Sequence, residues 1–238
     1  MFYLFTDPLF LVVMLVGGGL CGIAAMRVKS TFAKYQRVGV RSGMTGAEAA
    51  RAVCRAGGVD DVTIERHHGF LSDHYDPRSR TLRLSPDVYD GRSISSIAVA
   101  AHEAGHAIQH KQAYVWLGMR STLVPLVGVA NGLWTLPFFL GLVLGGFASN
   151  GIGGPLMVVG AALLGIAVLF QLVTLPVEFD ASNRAKAVLA HTGIVSTPEE
   201  ARGVSDVLGA AALTYVAGAV SSALTLAYVL FRIAGSRN

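Results

Sequence analysis

The segment Ile94-to-His110, ISSIAVAAHEAGHAIQH, decides how the rest of the chain is read. At its centre His102-Glu103-Ala104-Gly105-His106 fits the pattern HExxH. On a helix, residues four apart stand one turn above each other on the same face. Both imidazoles can then reach one tetrahedral Zn²⁺ at roughly 2.0–2.1 Å. Glu103 directly follows the first histidine, where its carboxylate is placed to take a proton from water at such an ion. Val99, Ala100, Ala101, Ala104, Gly105, Ala107 and Ile108 around the motif are small or apolar. A dry wall strengthens the pull of an ion on water. HExxH also arises by chance, and an amphipathic helix with surface histidines is the plainer reading. The helical context, the uncharged flanks and a third-ligand candidate downstream favour the metal.

Outward from this segment, composition sets the class. Of 238 residues, 53% are hydrophobic and 14% charged. Soluble domains carry about 25% charged residues, so this is the balance of a membrane protein. The formal net charge is +4. Its basic residues are spread along loops beside apolar spans, and no aromatic-and-basic nucleic-acid module is present, so nucleic acid is not an expected partner. The two cysteines, Cys21 in an apolar span and Cys54 in a polar stretch, form no disulfide framework and read as packing residues.

The expected architecture is a polytopic α-helical membrane protein with about four transmembrane helices and a small cytoplasmic α+β region. Residues 1–26 form an anchor, with an apolar run from Leu9 to Met26 extended upstream by Phe2, Leu4 and Phe5. That length crosses about 30 Å of hydrocarbon. A signal peptide carries its positive charge before the apolar core, whereas the first basic residue here is Arg27, so the anchor is read as retained. Arg27, Lys29, Lys34, Arg37 and Arg41 then mark the cytoplasmic side and put the amino terminus outside. Residues 121–177 form a hairpin of two spans, Leu123–Phe147 and Pro155–Val177. Pro125, Asn131 and Pro137 predict kinks in the first of these. The uncharged turn at 148–154 suits the outside face. Residues 178–207 return to the cytoplasm, and residues 208–238 hold a fourth span, Leu208–Ile233, and a tail. Arg232 and Arg237 in that tail argue weakly against placing it outside. The many alanines and glycines of this span equally suit a buried, close-packed helix.

Residues 27–120 are the largest polar region. Thr45-Gly46-Ala47-Glu48 reads as a capping box. It opens a helix with Ala49, Ala50, Val53 and Cys54 on one face, stopped at Gly57-Gly58. Val62–Arg66 and Thr81–Ser85 alternate like short strands. The stretch His67–Arg78 between them reads as a loop with a turn at Asp76-Pro77. Ser93 is placed to cap the helix that bears the motif.

A catalytic zinc needs three protein ligands and an open position. His110 lies about 12 Å along the helix axis from His102, too far to share one ion. Glu178 is the stronger candidate, because the hairpin brings its end of the third span beside the motif. Ser182 shares its face as a hydrogen-bonding support. Asp180, on another face, is the runner-up. Glu178 and Asp180 as plain solvated acids are the structural alternative. His67, His68, His74 and His191 read as surface or loop histidines. His74 is the one to test for substrate contact, and Tyr75 is a candidate hydrogen-bond donor to an oxyanion. Arg184 reads as an interfacial anchor. The Thr81–Ser85 strand is a candidate surface for holding an extended substrate by strand addition.

Ala101–His110 together with Leu175–Ala185 resembles the YugP-type neutral zinc metallopeptidases of bacterial membranes. Asp73-His74-Tyr75-Asp76-Pro77-Arg78 and Leu82–Ser85 extend the likeness, which covers nearly the whole chain. The resemblance implies zinc, a zincin-like region, a cytoplasmic-side active site, and His102, His106 and Glu178 as ligands. A more distant likeness is to CAAX prenyl endopeptidases and HtpX-type proteases, whose third ligand sits in a pattern like Glu-x-x-Ala-Asp. Here Ser182 stands at the last position, a departure that touches the supporting carboxylate and not the ligand. FtsH-type proteases share HEAGH but need an ATPase module, and no GxxxxGK occurs here. Site-2-type proteases bury the motif in a span, whereas Arg92 and Lys111 flank it here. The expected function is therefore a membrane-embedded zinc endopeptidase of the plasma (inner) membrane. Glu103 acts as general base and the substrates are membrane-associated or misfolded polypeptides. The alternative is a non-hydrolytic zinc-site scaffold or regulator. No oligomeric state follows from the sequence.

Overall fold

The computed structural model describes residues 7–69, 72–146 and 151–235. The Phe2, Leu4 and Phe5 extension of the first span, Phe70 and Leu71 of the loop, residues 147–150 of the second span and turn, and residues 236–238 of the tail lie outside them. The protein is mostly helical. Its elements are α1 (Pro8–Gln36), α2 (Gly46–Ala56), β1 (Thr63–Arg66), β2 (His74–Asp76), β3 (Thr81–Leu84), the single turn α3 (Pro86–Tyr89), α4 (Ile94–Lys111), α5 (Val115–Leu133), α6 (Thr135–Val143), α7 (Gly153–His191) and α8 (Pro198–Gly235). Among the described residues, four stretches are long and apolar enough to cross a membrane: α1, α5 with α6, α7 and α8.

The chain forms two units. One comprises Met1–Ala24, Met119–Thr174 and Thr214–Asn238. Its core gathers Val127, Phe138, Met157, Leu164, Tyr228 and Val229. Leu15, Val129, Leu136 and Phe231 are exposed on its helices, a surface that needs lipid rather than water. Gly17 meets Ser221 so closely that an added Cβ would lie 2.4 Å from the serine Oγ. The last helix is therefore packed against α1 at this point, yet it exposes Val220, Leu230 and Phe231 elsewhere. Cys21 is exposed on α1, unlike the packing residue expected. Pro137 lacks the N–H that would bond the carbonyl of Leu133, and the helix breaks at Trp134 between α5 and α6. Pro125 is carried inside α5.

The other unit comprises Ala25–Gly118 and Leu175–Leu213 and has its own core, including Phe32, Val53, Leu82, Leu84, Ile97, Leu189 and Val204. Helix α2 opens with the capping box: Glu48 N donates to Thr45 Oγ1, and Thr45 N donates to Glu48 Oε2. It buries Ala49, Ala50, Val53 and Cys54 and ends at Gly57. Ser93 caps α4 by accepting from Ser96 N at 3.2 Å. Helix α7 does not stop at Pro176 but runs on to His191, so one helix carries both the third apolar stretch and the charged run after it. Helix α8 begins at Pro198, earlier than the apolar stretch predicts, because Thr197 and Glu200 cap it reciprocally.

The sheet has the order β1-β3-β2, with β1 and β3 parallel and β2 antiparallel to β3. Strand β2 arises within the stretch expected to be loop. The consequence is a correction. Strand β3 is paired along both edges, so the Thr81–Ser85 stretch has no free edge on which to add a substrate strand.

Glu200 holds this unit together from a buried position. Its Oε1 accepts from Arg41 N at 2.7 Å and its Oε2 from Ser196 N at 2.9 Å and Thr197 N at 3.2 Å. Replacing it leaves those donors without their acceptor. Glu200→Ala is expected to cost about 1–3 kcal/mol, read as a lower thermal midpoint of the detergent-solubilised protein.

Candidate metal centre

The buried part of helix α4 is rich in small residues, Ala98, Ala100, Ala101, Ala104, Gly105 and Ala107, beside Ile94, Ile97 and Ile108. Small side chains let a neighbouring helix come close, and α7 does so at Gly105. A Cβ there would lie 2.6 Å from Ala181 O and 3.3 Å from Ala181 Cα. This approach brings the Glu178–Ser182 turn of α7 onto the histidine face of α4. Glu178 Oε2 lies 3.2 Å from His102 Nε2 and 3.6 Å from His106 Nε2. The three candidate ligand atoms all fall within 4.8 Å of one another, in a buried to half-buried setting.

The outer nitrogens of both rings are held from behind. His102 Nδ1 shares a 3.1 Å hydrogen bond with Ser182 Oγ. Gln109, fully buried, settles the other ring. Its Nε2 donates to Val177 O at 2.8 Å and to Asp180 Oδ2 at 2.7 Å, so its Oε1 must be the atom facing His106 Nδ1 at 2.9 Å. An amide oxygen only accepts, so His106 Nδ1 carries the hydrogen, and in the neutral ring Nε2 is the atom left with a lone pair for a metal ion. Electron-rich nitrogen and carboxylate atoms thus converge on one point. A metal ion, or a proton shared between an imidazole and the Glu178 carboxylate, supplies the positive charge that holds them together. Two imidazoles and a carboxylate are also the donor set of a catalytic zinc site, so the residues present fit that ion. Burial alone would lower the His106 pKa, but the adjacent Glu178, with Glu103 and Gln109 adding, raises it overall.

The chain matches the family described as "Putative neutral zinc metallopeptidase" over residues 9–234. It belongs to that family. It is 47% identical to "Putative membrane protease YugP" of Bacillus subtilis (strain 168) over 218 residues, 92% of this chain and 93% of that protein. No solved structure matches it.

Within this member of the family, the other residues singled out by sequence fall into distinct places. Asp180 is not in the converging group. It accepts from Gln109 and from Arg184 Nε. Arg184 is more than an interfacial anchor, since it also donates to Gln112 Oε1 and stacks over the Tyr114 ring at 5.6 Å. His110 sits away from Glu178 and shares a 2.8 Å hydrogen bond with Tyr75 OH. Burial pushes the Tyr75 hydroxyl up to about 12, so it keeps its proton in this contact. Tyr75 therefore faces α4. His74, one residue earlier on the strand, faces the opposite side of the sheet, exposed and outside the converging group. His67, His68 and His191 are also exposed.

Two residues escape a reading of the sequence. One is Gln109, whose i+3 spacing from His106 is the sequence signal for a contact on the same helix face. The other is Asp73, which accepts from Ser85 N at 2.7 Å and Ser85 Oγ at 3.0 Å. Burial lifts the Asp73 carboxyl above the ordinary carboxylate value. The Ser85 bonds oppose this, and the charge of Glu103 adds to it. Strand β2 therefore runs beside α4 with Asp73 near Glu103 and Tyr75 at His110.

Gln109→Leu should weaken zinc binding by about 10–100-fold while helix content stays unchanged, as read by competition with a chelating dye and circular dichroism. Gly105→Ala should force α4 and α7 apart at about 1–3 kcal/mol. Zinc retention and thermal midpoint in that variant should fall together.

Proposed function

We propose that this chain is a membrane-embedded zinc-dependent endopeptidase acting on membrane-associated or misfolded polypeptides. The observation that carries the reading is the convergence of His102, His106 and Glu178 within 4.8 Å, with Glu103 next to the first histidine on a buried helix. In this reading His102 Nε2, His106 Nε2 and a Glu178 oxygen hold Zn²⁺. The ion, when bound, supplies a Lewis acid that brings the pKa of water to about 7 and polarises a carbonyl oxygen.

The chain's own residues do the rest. Glu103 takes the proton from the attacking water on its carboxylate and returns it to the leaving nitrogen as the peptide bond breaks. Ser182 and Gln109 keep the two rings turned so that Nε2 faces inward. Among the described residues β2 pairs only with β3, leaving its other edge open beside α4. An extended peptide added to that edge would lie along the Glu103 face, held by backbone hydrogen bonds. Recognition through the backbone suits segments without stable structure.

The proposed topology places residues 27–120 and 178–207 in a zincin-like cytoplasmic region at the plasma (inner) membrane. Residues 1–26, the 121–177 hairpin and 208–238 then span or border the bilayer. The basic residues from Arg27 to Arg41 support that orientation. Arg232, which argued against an outside tail, lies 3.5 Å from the Asp7 carboxylate, so its charge is offset.

Glu103→Gln keeps the shape of the side chain and removes its basicity. Purified full-length protein bearing it should retain zinc yet cleave an unfolded polypeptide about 10²–10⁴-fold more slowly than the parent. His106→Ala should lose both zinc and cleavage. Unchanged cleavage by Glu103→Gln, or cleavage by the parent that survives a chelator, sinks the endopeptidase reading. Zinc binding without cleavage of any member of a diverse peptide library supports the scaffold alternative.

A further inference from the structure

A second pair of imidazoles stands on the sheet face turned away from α4. His67 prolongs β1, its backbone N–H donating to Leu84 O at 2.7 Å, and His74 opens β2. Their rings meet edge to face with centroids 5.6 Å apart and planes at 89°. The corresponding values for His102 and His106 are 4.8 Å and 81°. His74 Nδ1 lies 2.8 Å from Ser72 O. A carbonyl oxygen only accepts, so Nδ1 carries the hydrogen and Nε2 presents its lone pair. Metal-ligating histidines are held in this way, with the other ring nitrogen donating to a carbonyl or carboxylate. Both residues are exposed, which leaves room for water to complete a coordination shell. Arg83 stands across from His74 in the register, but its charge is spent on Asp76 at 3.1 Å and Glu65 at 3.8 Å.

We propose that His67 and His74 form a second metal site, for a divalent transition ion of the zinc, copper or nickel class. Imidazole nitrogen suits these ions, and an open two-histidine site selects among them only weakly. The ion joins the end of β1 to the start of β2, two strands that do not pair with each other. Tyr75, the neighbour of His74, shares a 2.8 Å hydrogen bond with His110 on α4. Occupancy of the outer site therefore stiffens the strand that borders the metal centre on α4. The site stands whether or not the chain hydrolyses peptides.

The test counts ions. Full-length protein is stripped with a chelator, dialysed against excess Zn²⁺, and its zinc content per chain measured by atomic emission. The parent should take up two ions, the more weakly held one leaving first on dilution. The double variants His67→Ala with His74→Ala, and His67→Gln with His74→Gln, should each take up one and keep the tightly held ion. The glutamines guard against a folding artefact, since they remove imidazole but keep polar side chains at exposed positions. His102→Ala with His106→Ala should also take up one, the weakly held ion. A parent that saturates at one ion, or a second ion that survives loss of both outer histidines, overturns the proposal.

Discussion

The close contact between α4 and α7 is the constraint on which the candidate metal centre depends. A carboxylate taken from water is costly unless something positive or hydrogen-bonding meets it. Glu178 is almost wholly buried, and it is met by two imidazoles only because Gly105 has no side chain to hold Ala181 away. The run of alanines on α4 has the same purpose. It exchanges the bulk of a normal core for proximity, and Gln109 supplies the directional bond that proximity alone does not. That amide reaches the backbone of Val177 and the Asp180 carboxylate on α7 as well as His106 on its own helix. Helix position and ring orientation are thus set by one side chain.

The polar neighbours of this centre are ordered in layers. Asp180 is shared between Gln109 and Arg184, and Arg184 is shared in turn with Gln112 just past the end of α4. On the other flank, Tyr75 and His74 alternate along β2, so Tyr75 meets the helix and His74 meets solvent, while Asp73 just before the strand is tied to Ser85. The same three-residue strand thereby reaches in two directions, through Tyr75 to His110 on α4 and through His74 to the His67 ring.

Much of this was legible in the residues. HExxH requires a helix to have meaning, and Ile94–Lys111 is one, with Ser93 at its cap. Glu178 was reachable through hydropathy, because an apolar run of fixed length must return its end to the side it left. Its nearness to His102 and His106 follows from that return. Other features carried weak signals. Strand β2 has only three residues, too few for an alternation to register, and missing it left β3 looking like an edge. Helix α8 begins among charged residues, where hydropathy says nothing, although Thr197-Pro198-Glu199-Glu200 spells a capping box. Gln109 looks like any polar residue at a helix end until the second helix is in place.

The unbroken course of α7 through Pro176 has a further consequence. Because Glu178, Ala181, Ser182, Ala185 and Leu189 share one rigid cylinder, their angular phase is a single quantity. Each residue on a helix advances it by about 100°. One codon gained or lost between Pro176 and Glu178 would swing the whole downstream surface by that angle, presenting other side chains to Gly105. The chain's tolerance of length change is therefore sharply local, strict over these few positions and free to relax in the loops beyond.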